Sequence, residues 1–175
     1  MTTIGHLAYL YNALEARHWH ALKSLIRNEL LVDYFTAFTT ATNTPSPLQE
    51  IYEISLTTSR QAVEALELPD SAGRCQAEVR QIAASWLTTH LGLPQLTAPH
   101  TPLSASERAA LATALTNEEI STIVGQAVEY AIAEHQWKEA TLAIHNLYEN
   151  QREAPQLPPR PHASQWPHLA AMETQ

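Results

Sequence analysis

The sequence has few of the residues that cross-link chains or interrupt helices. One of its 175 residues is cysteine, Cys75, and four are glycine. A single cysteine excludes a disulfide within the chain and is typical of proteins from reducing compartments. The glycines stand apart at positions 5, 73, 92 and 125. The sequence therefore lacks the glycine-rich loop with which many nucleotide-binding proteins hold phosphate groups.

Charged residues and long apolar runs are also scarce. Charged residues make up 16% of the chain, and no apolar stretch approaches the roughly 20 residues of a membrane-spanning helix. The first residues lack the charged segment and apolar core of a signal peptide, so we expect a cytoplasmic protein with no membrane partner. The formal net charge of -8 repels phosphate backbones, which disfavours nucleic acid as a partner.

What the sequence does contain is helical periodicity. Apolar residues make up 45% of the chain and recur at spacings of three and four in the long stretches between clusters of prolines. We predict an all-α single domain, residues 1–153, of about six or seven helices partly arranged as antiparallel hairpins. The predicted helices are 4–17, 19–38, 47–66, 71–91, 104–115 and 116–151, the last as one long helix or as two in a hairpin.

Several short motifs predict where these helices begin and end. Ser104 to Glu107 and Thr116 to Glu119 both match a capping box, in which a hydroxyl and a carboxylate pair with backbone N–H groups. Gly92 lies where a helix C-terminus favours glycine. The polar stretches Arg17–His20 and Glu134–His135 predict breaks between helices.

The third predicted helix, 47–66, has an apolar stripe whose members we expect to face the core. Pro47 lies at its first turn, where proline is favoured, and Ser46 is placed to cap it. The expected inward positions share helical spacing along the segment. They are Leu48, Ile51, Tyr52, Ser55, Ala62 and Leu66.

One internal similarity links two parts of the chain. Residues 13–26 and 131–144 each place a tryptophan after a polar stretch, Trp19 in the first and Trp137 in the second. The later copy, Tyr130-Ala131 followed by Trp137-Lys138-Glu139-Ala140, resembles the turn and second helix of a tetratricopeptide unit. The resemblance covers only about 30 residues, lacks the small residue usual at the turn, and implies a helical hairpin there.

The composition changes in residues 154–175, which we call the tail. Its prolines predict an extended conformation. Residues 154–160 match the spacing of a polyproline ligand with a basic anchor, a motif that binds aromatic grooves. The sequence leaves open whether the tail packs on its own domain or on a partner. The predicted partner-binding residues are Pro155, Leu157, Pro158, Arg160 and Trp166.

Two weaker site hypotheses involve the N-terminal region. Arg17, Lys23 and Arg27 form the one locally basic stretch and are candidates to contact phosphate or an acidic partner. Glu15 and His18 have the E-x-x-H spacing of di-iron helical bundles, but the sequence offers no second motif of this kind. We therefore predict no metal, no cofactor and no catalytic residue.

The function that this pattern favours is protein interaction without catalysis. The leading hypothesis is a helical adaptor, an immunity-type inhibitor or a small structural subunit that binds another protein within a larger assembly. One alternative is a helical subunit of a nucleoprotein complex that uses the basic stretch. A second alternative is a metal-dependent helical-bundle enzyme.

Overall fold

Six α-helices and one 3-10 turn make up most of the part of the chain that the structure describes. A computed structural model describes residues 2–66, 72–96, 102–147 and 157–173, with side chains described from residue 17 in the first helix and from residue 75 in the third. No strand occurs within these ranges, so the all-α prediction is confirmed. The helices are α1 Thr2–Thr42, α2 Pro47–Ala65, α3 Ala72–Leu91, α4 Ala105–Leu115, α5 Ile120–Leu147 and α6 Pro167–Glu173, with the 3-10 turn at Ala163–Gln165.

The first helix is longer than the sequence predicted. Residues 6–44 contain no glycine or proline, and α1 runs without a break for 41 residues. The predicted junction at Arg17–His20 is wrong because Trp19 lies in the interface with α5, its ring 5.7 Å from that of His135. Asn43 ends the helix with a φ of 53°, the left-handed conformation that follows many helix C-termini.

Antiparallel pairs of helices build the domain. Between α1 and α2, Asn28 Nδ2 donates to Ser59 Oγ at 2.9 Å, and Thr39 donates to Gln49 ten residues away across the turn. Helix α5 runs antiparallel to α1, since Trp19 lies near His135 and Lys23 near Glu129, and it also packs against α3. This arrangement places α5 at the centre of the domain, in contact with α1, α3 and α6.

Apolar stripes on α1, α3 and the first half of α5 form the core. Leu22, Ile26 and Tyr34 of α1 are buried, as are Val79 and Leu87 of α3. Burying apolar surface at roughly 25 cal/mol per Å² is the main favourable term that holds such helices together. The buried members of α5 include Ile120, Ile123, Val124, Ala127, Val128 and Ala131.

The stripe predicted for α2 is only partly correct. Tyr52 packs against the core, with its ring stacked on that of Phe35 at 5.5 Å, but other predicted members do not. Leu48 and Ile51 are 46% and 56% exposed, and the buried positions are Leu56 and Ser59. Helix α2 packs chiefly on α1, so only one narrow face of it is covered. Helical spacing could not distinguish that face from the neighbouring apolar stripe, because both repeat with the same period.

Local capping signals were correct at two helix ends, wrong at one and partly correct at the start of α2. There Ser46 is the N-cap residue and Pro47 follows it, but the Ser46 side chain makes no capping hydrogen bond. Ser104 Oγ accepts the Glu107 N–H at 3.1 Å, and Glu107 accepts the Ser104 N–H at 2.9 Å, which completes the predicted capping box. Gly92 follows α3 with a φ of 71°, as predicted. Thr116 instead ends α4, its hydroxyl donating to the Ala112 carbonyl at 2.8 Å. Helix α5 begins four residues later, at Ile120.

Helix α5 is continuous through the residues expected to break it. Glu134 and His135 are both buried, and each has a partner on a neighbouring segment. The tetratricopeptide-like turn is therefore absent from the described helix, which runs unbroken from Ile120 to Leu147. Residues 148–151, included in the predicted helix, lie outside the described residues.

No described helix combines the length and the apolar content needed to cross a bilayer.

Candidate functional site

The described part of the tail, residues 157–173, lies against α5. Trp137 and Glu134 stand three residues apart on α5 and therefore share one face of the helix. The Trp137 indole N–H donates to the carbonyl oxygen of Pro158 at 2.8 Å. The tail is thus bound at a backbone carbonyl, as aromatic grooves hold extended proline-rich peptides.

Arg160 anchors the same segment. Its Nε donates to Glu134 Oε2 at 3.2 Å, and a second guanidinium nitrogen bonds to Oε1. The guanidinium also lies over the Trp137 ring, 5.0 Å from the ring centroid. Hydrogen bonding to Glu134 raises the pKa of Arg160. Two parallel charge-assisted bonds fix both the position and the orientation of this side chain.

The contrast in burial across this ion pair shows which partner belongs to the domain. The Glu134 side chain is 6% exposed, whereas that of Arg160 is 60% exposed. A buried carboxylate without a cation is strongly unfavourable, so Glu134 makes this face of α5 selective for a positively charged group. Arg160 supplies that group from outside.

The tail continues along α5 beyond this ion pair. Trp166 packs edge-on against Tyr130 with ring centroids 5.8 Å apart. Gln126 accepts the backbone N–H of His168 at 2.9 Å, and Leu169 is fully buried. The prediction of an extended tail fails for this part, because a 3-10 turn and α6 follow the prolines.

An open cleft of about 480 Å³ lies beside the anchored arginine, between α3 and α5. Trp86 and His90 of α3 stack in its wall with ring centroids 4.2 Å apart and planes inclined by 16°. Tyr130 and Trp137 of α5 line it as well, and burial raises the pKa of the Tyr130 hydroxyl. Four aromatic rings and one buried carboxylate suit an extended ligand that combines apolar and basic groups.

A second cleft, of about 410 Å³, lies between α1 and α3. Glu29 and Asp33, four residues apart on α1, both bond to the guanidinium of Arg80. Burial raises the pKa of both carboxyl groups. Because one arginine already holds both carboxylates, this cleft is an internal ion-pair network between two helices.

The predicted basic stretch is divided by the fold. Lys23 pairs with Glu129 of α5, and Arg27 lies in the α1–α5 interface with its Cδ against the backbone at Gly125. Arg17 alone of the predicted three is exposed. The three cations therefore do not form one surface.

Only one member of the predicted metal pair has a described side chain. His18 is half-buried, and the side chain of Glu15 lies outside the described residues. A different cluster joins α3 to α5, made of Glu78, His135 and Glu139. The four-residue spacing of His135 and Glu139 was visible in the sequence, but nothing there identified Glu78 as their neighbour.

Four of the five predicted tail residues lie in the described region. Pro158, Arg160 and Trp166 contact α5, while Leu157 is 48% exposed. Pro155 lies outside the described residues.

Comparisons with protein-family models, with curated proteins and with solved structures find no match to this chain. Inference about function therefore starts from these contacts.

Proposed function

We propose that this protein is a non-enzymatic helical interaction module that binds an extended, proline-containing and arginine-bearing segment of a partner protein. The ligand would lie on the face of α5 formed by Glu134 and Trp137 and extend into the cleft toward α3. The observation that carries the proposal is the bound tail, in which Pro158 and Arg160 are held by an indole N–H and a buried carboxylate. An adaptor, an inhibitor and a structural subunit could each use such a surface.

The chemistry of this face explains why such a segment is the favoured ligand. Proline-rich segments are already extended when free, so little conformational entropy is lost on binding. A tryptophan N–H recognises any backbone carbonyl and supplies affinity without sequence selectivity. The buried Glu134 supplies selectivity, because a cationic donor compensates its buried charge better than a neutral donor does.

The tail itself acts as an internal competitor in this proposal. A tethered segment experiences an effective concentration in the millimolar range, so a partner must bind more tightly than the tail or make contacts that the tail does not. The cleft of about 480 Å³ provides room for such contacts beside Arg160. The net charge of -8 also favours approach of a basic partner.

The test uses a fluorescein-labelled peptide with the sequence of residues 157–162, measured by fluorescence anisotropy. The protein carries Arg160→Ala, which empties the Glu134 anchor while leaving α6 in place. We expect this variant to bind the peptide about tenfold or more tightly than the wild type, because the internal competitor has lost its charge-assisted bonds. Arg108→Ala, which removes an arginine on α4, is the matched control and should bind as the wild type does.

Two further controls test the role of the arginine. A peptide with alanine in place of its arginine should bind the Arg160→Ala protein about tenfold or more weakly. The double variant Arg160→Ala/Glu134→Gln removes the buried charge and should lose the preference for arginine. If the Arg160→Ala protein has a wild-type circular dichroism spectrum yet binds neither peptide, or binds both equally, the proposal is wrong.

A further inference from the structure

Away from the tail anchor, α3 and α5 bring together three groups that ligate metal ions. His135 and Glu139 are four residues apart on α5 and share a face, and Glu78 of α3 lies opposite. One potential ligand atom from each residue lies within 4.8 Å of the other two. His135 Nδ1 and Glu78 Oε2 are 3.1 Å apart.

These separations suit one small divalent ion. Zinc binds imidazole nitrogen and carboxylate oxygen at about 2.0–2.2 Å, which places two ligands of a tetrahedral ion roughly 3.4 Å apart. The His135–Glu78 separation is already close to that value. Glu139 is exposed and can rotate toward the pair without disturbing the core.

The histidine is the buried member of the cluster, and its ring is fixed in position. The His135 side chain is 5% exposed, and its ring is held against that of Trp19. Glu78 is half-buried and Glu139 faces solvent, so the cluster opens outward on one side only. Three protein ligands with one open position, filled by water, form a common zinc arrangement.

Lys138 is the group that competes with a cation. Its ammonium donates to Glu78 Oε1 at 2.8 Å, while the facing oxygen Oε2 is the one near His135. The Lys138 side chain is 55% exposed and can turn into solvent. A bound divalent ion would repel this ammonium, so removing the lysine charge should favour the ion.

We propose that Glu78, His135 and Glu139 form a binding site for a divalent transition-metal ion of the zinc type, with Lys138 as an internal competitor. The site uses neither the Glu134 carboxylate nor the tail, although Lys138 also lines the cleft of about 480 Å³. A bound metal ion would link α3 to α5 in place of the hydrogen bond between Lys138 and Glu78.

The test titrates Zn²⁺ into the full-length protein, prepared without an affinity tag, in competition with a chromophoric chelator. The wild type should bind one equivalent of Zn²⁺ at this site, more tightly than the other histidines of the chain bind the ion. Glu139→Gln should weaken that equivalent about tenfold or more, because it removes an exposed ligand. Glu50→Gln, an exposed glutamate on α2, is the matched control and should have no effect.

Lys138→Gln provides the test with the opposite sign, since it should tighten Zn²⁺ binding. A general loss of structure cannot produce a gain in affinity, so this variant separates the site from the stability of the helices. Added Zn²⁺ should also raise the melting temperature of the wild type more than that of Glu139→Gln. Absence of a saturable equivalent, or equal affinity in the wild type and Glu139→Gln, would overturn the proposal.

Discussion

Leu169→Ala tests whether the tail is an integral part of the domain. Leu169 lies on α6 and is fully buried in the same cluster as residues of α3 and α5. Replacing it with alanine removes buried apolar atoms and leaves a cavity. Such changes in protein cores cost about 2–5 kcal/mol.

The chain contains a matched control for this substitution. Leu157→Ala makes the same chemical change in the same tail, but the Leu157 side chain is 48% exposed. Replacement at a site of that kind should change the free energy of unfolding by less than about 0.5 kcal/mol. Because leucine and alanine have similar helix propensities and the chain length is unchanged, the difference between the two variants reports mainly the loss of burial.

Urea denaturation, followed by far-ultraviolet circular dichroism, measures the free energy of unfolding of both variants. In a domain of this size a loss of about 3 kcal/mol lowers the melting temperature by roughly 6–12 °C. Equal stability of Leu169→Ala and Leu157→Ala would refute the reasoning. Faster hydrogen exchange confined to α6, with unchanged global stability, would show instead that α6 unfolds as a separate unit.

Three further substitutions test the helix interfaces, each by urea denaturation. Ser59→Ala should cost about 1–3 kcal/mol, because it leaves the buried Asn28 amide without its acceptor. Gly125→Ala should stabilise by up to about 1 kcal/mol, since the new Cβ would meet only the flexible Arg27 side chain, at 3.4 Å. Burial raises the pKa of Glu29, so the folded state holds this proton to higher pH than the unfolded chain, and stability falls as the group ionises. The free energy of unfolding of Glu29→Gln, measured relative to that of the wild type, should therefore be higher at pH ~7 than at pH ~4.

Each of these expectations has an outcome that contradicts it. If Ser59→Ala leaves the free energy of unfolding unchanged, water must reach the Asn28 amide. A loss of stability in Gly125→Ala would mean that α1 and α5 cannot separate by the few tenths of an ångström that a methyl group needs. A Glu29→Gln variant whose stability relative to the wild type does not change with pH would mean that burial does not govern this carboxyl.

Local signals were reliable where the responsible atoms are close in sequence. The capping box at Ser104 and the glycine after α3 each depend on a few neighbouring residues, and both were predicted correctly. The second capping box failed because Thr116 serves as the end of α4, and its hydroxyl bonds backward to Ala112. A hydroxyl at the boundary between two helices can bond in either direction, and four residues of sequence do not decide which.

Polar residues inside long helices were misread for a related reason. Arg17–His20 and Glu134–His135 resemble junctions because such residues usually face water. The fold instead buries Glu134 and His135 against partners from distant segments, which keeps α5 continuous. Whether a charged residue marks a helix end or an interface depends on its partner, which here lies 26 residues away for Glu134 and 57 for His135.

The sequence by itself determined that this chain is helical and where most helices lie, because these properties follow from spacing and from contacts within a few turns. Tertiary structure alone decided that the tail packs on α5 through Arg160, that Lys23 pairs with Glu129, and that α2 buries Leu56 while leaving Ile51 exposed. It also decided that Glu78 meets His135 across two helices. Each of these outcomes requires choosing one partner among many of equal local suitability, and only the simultaneous packing of all the helices makes that choice.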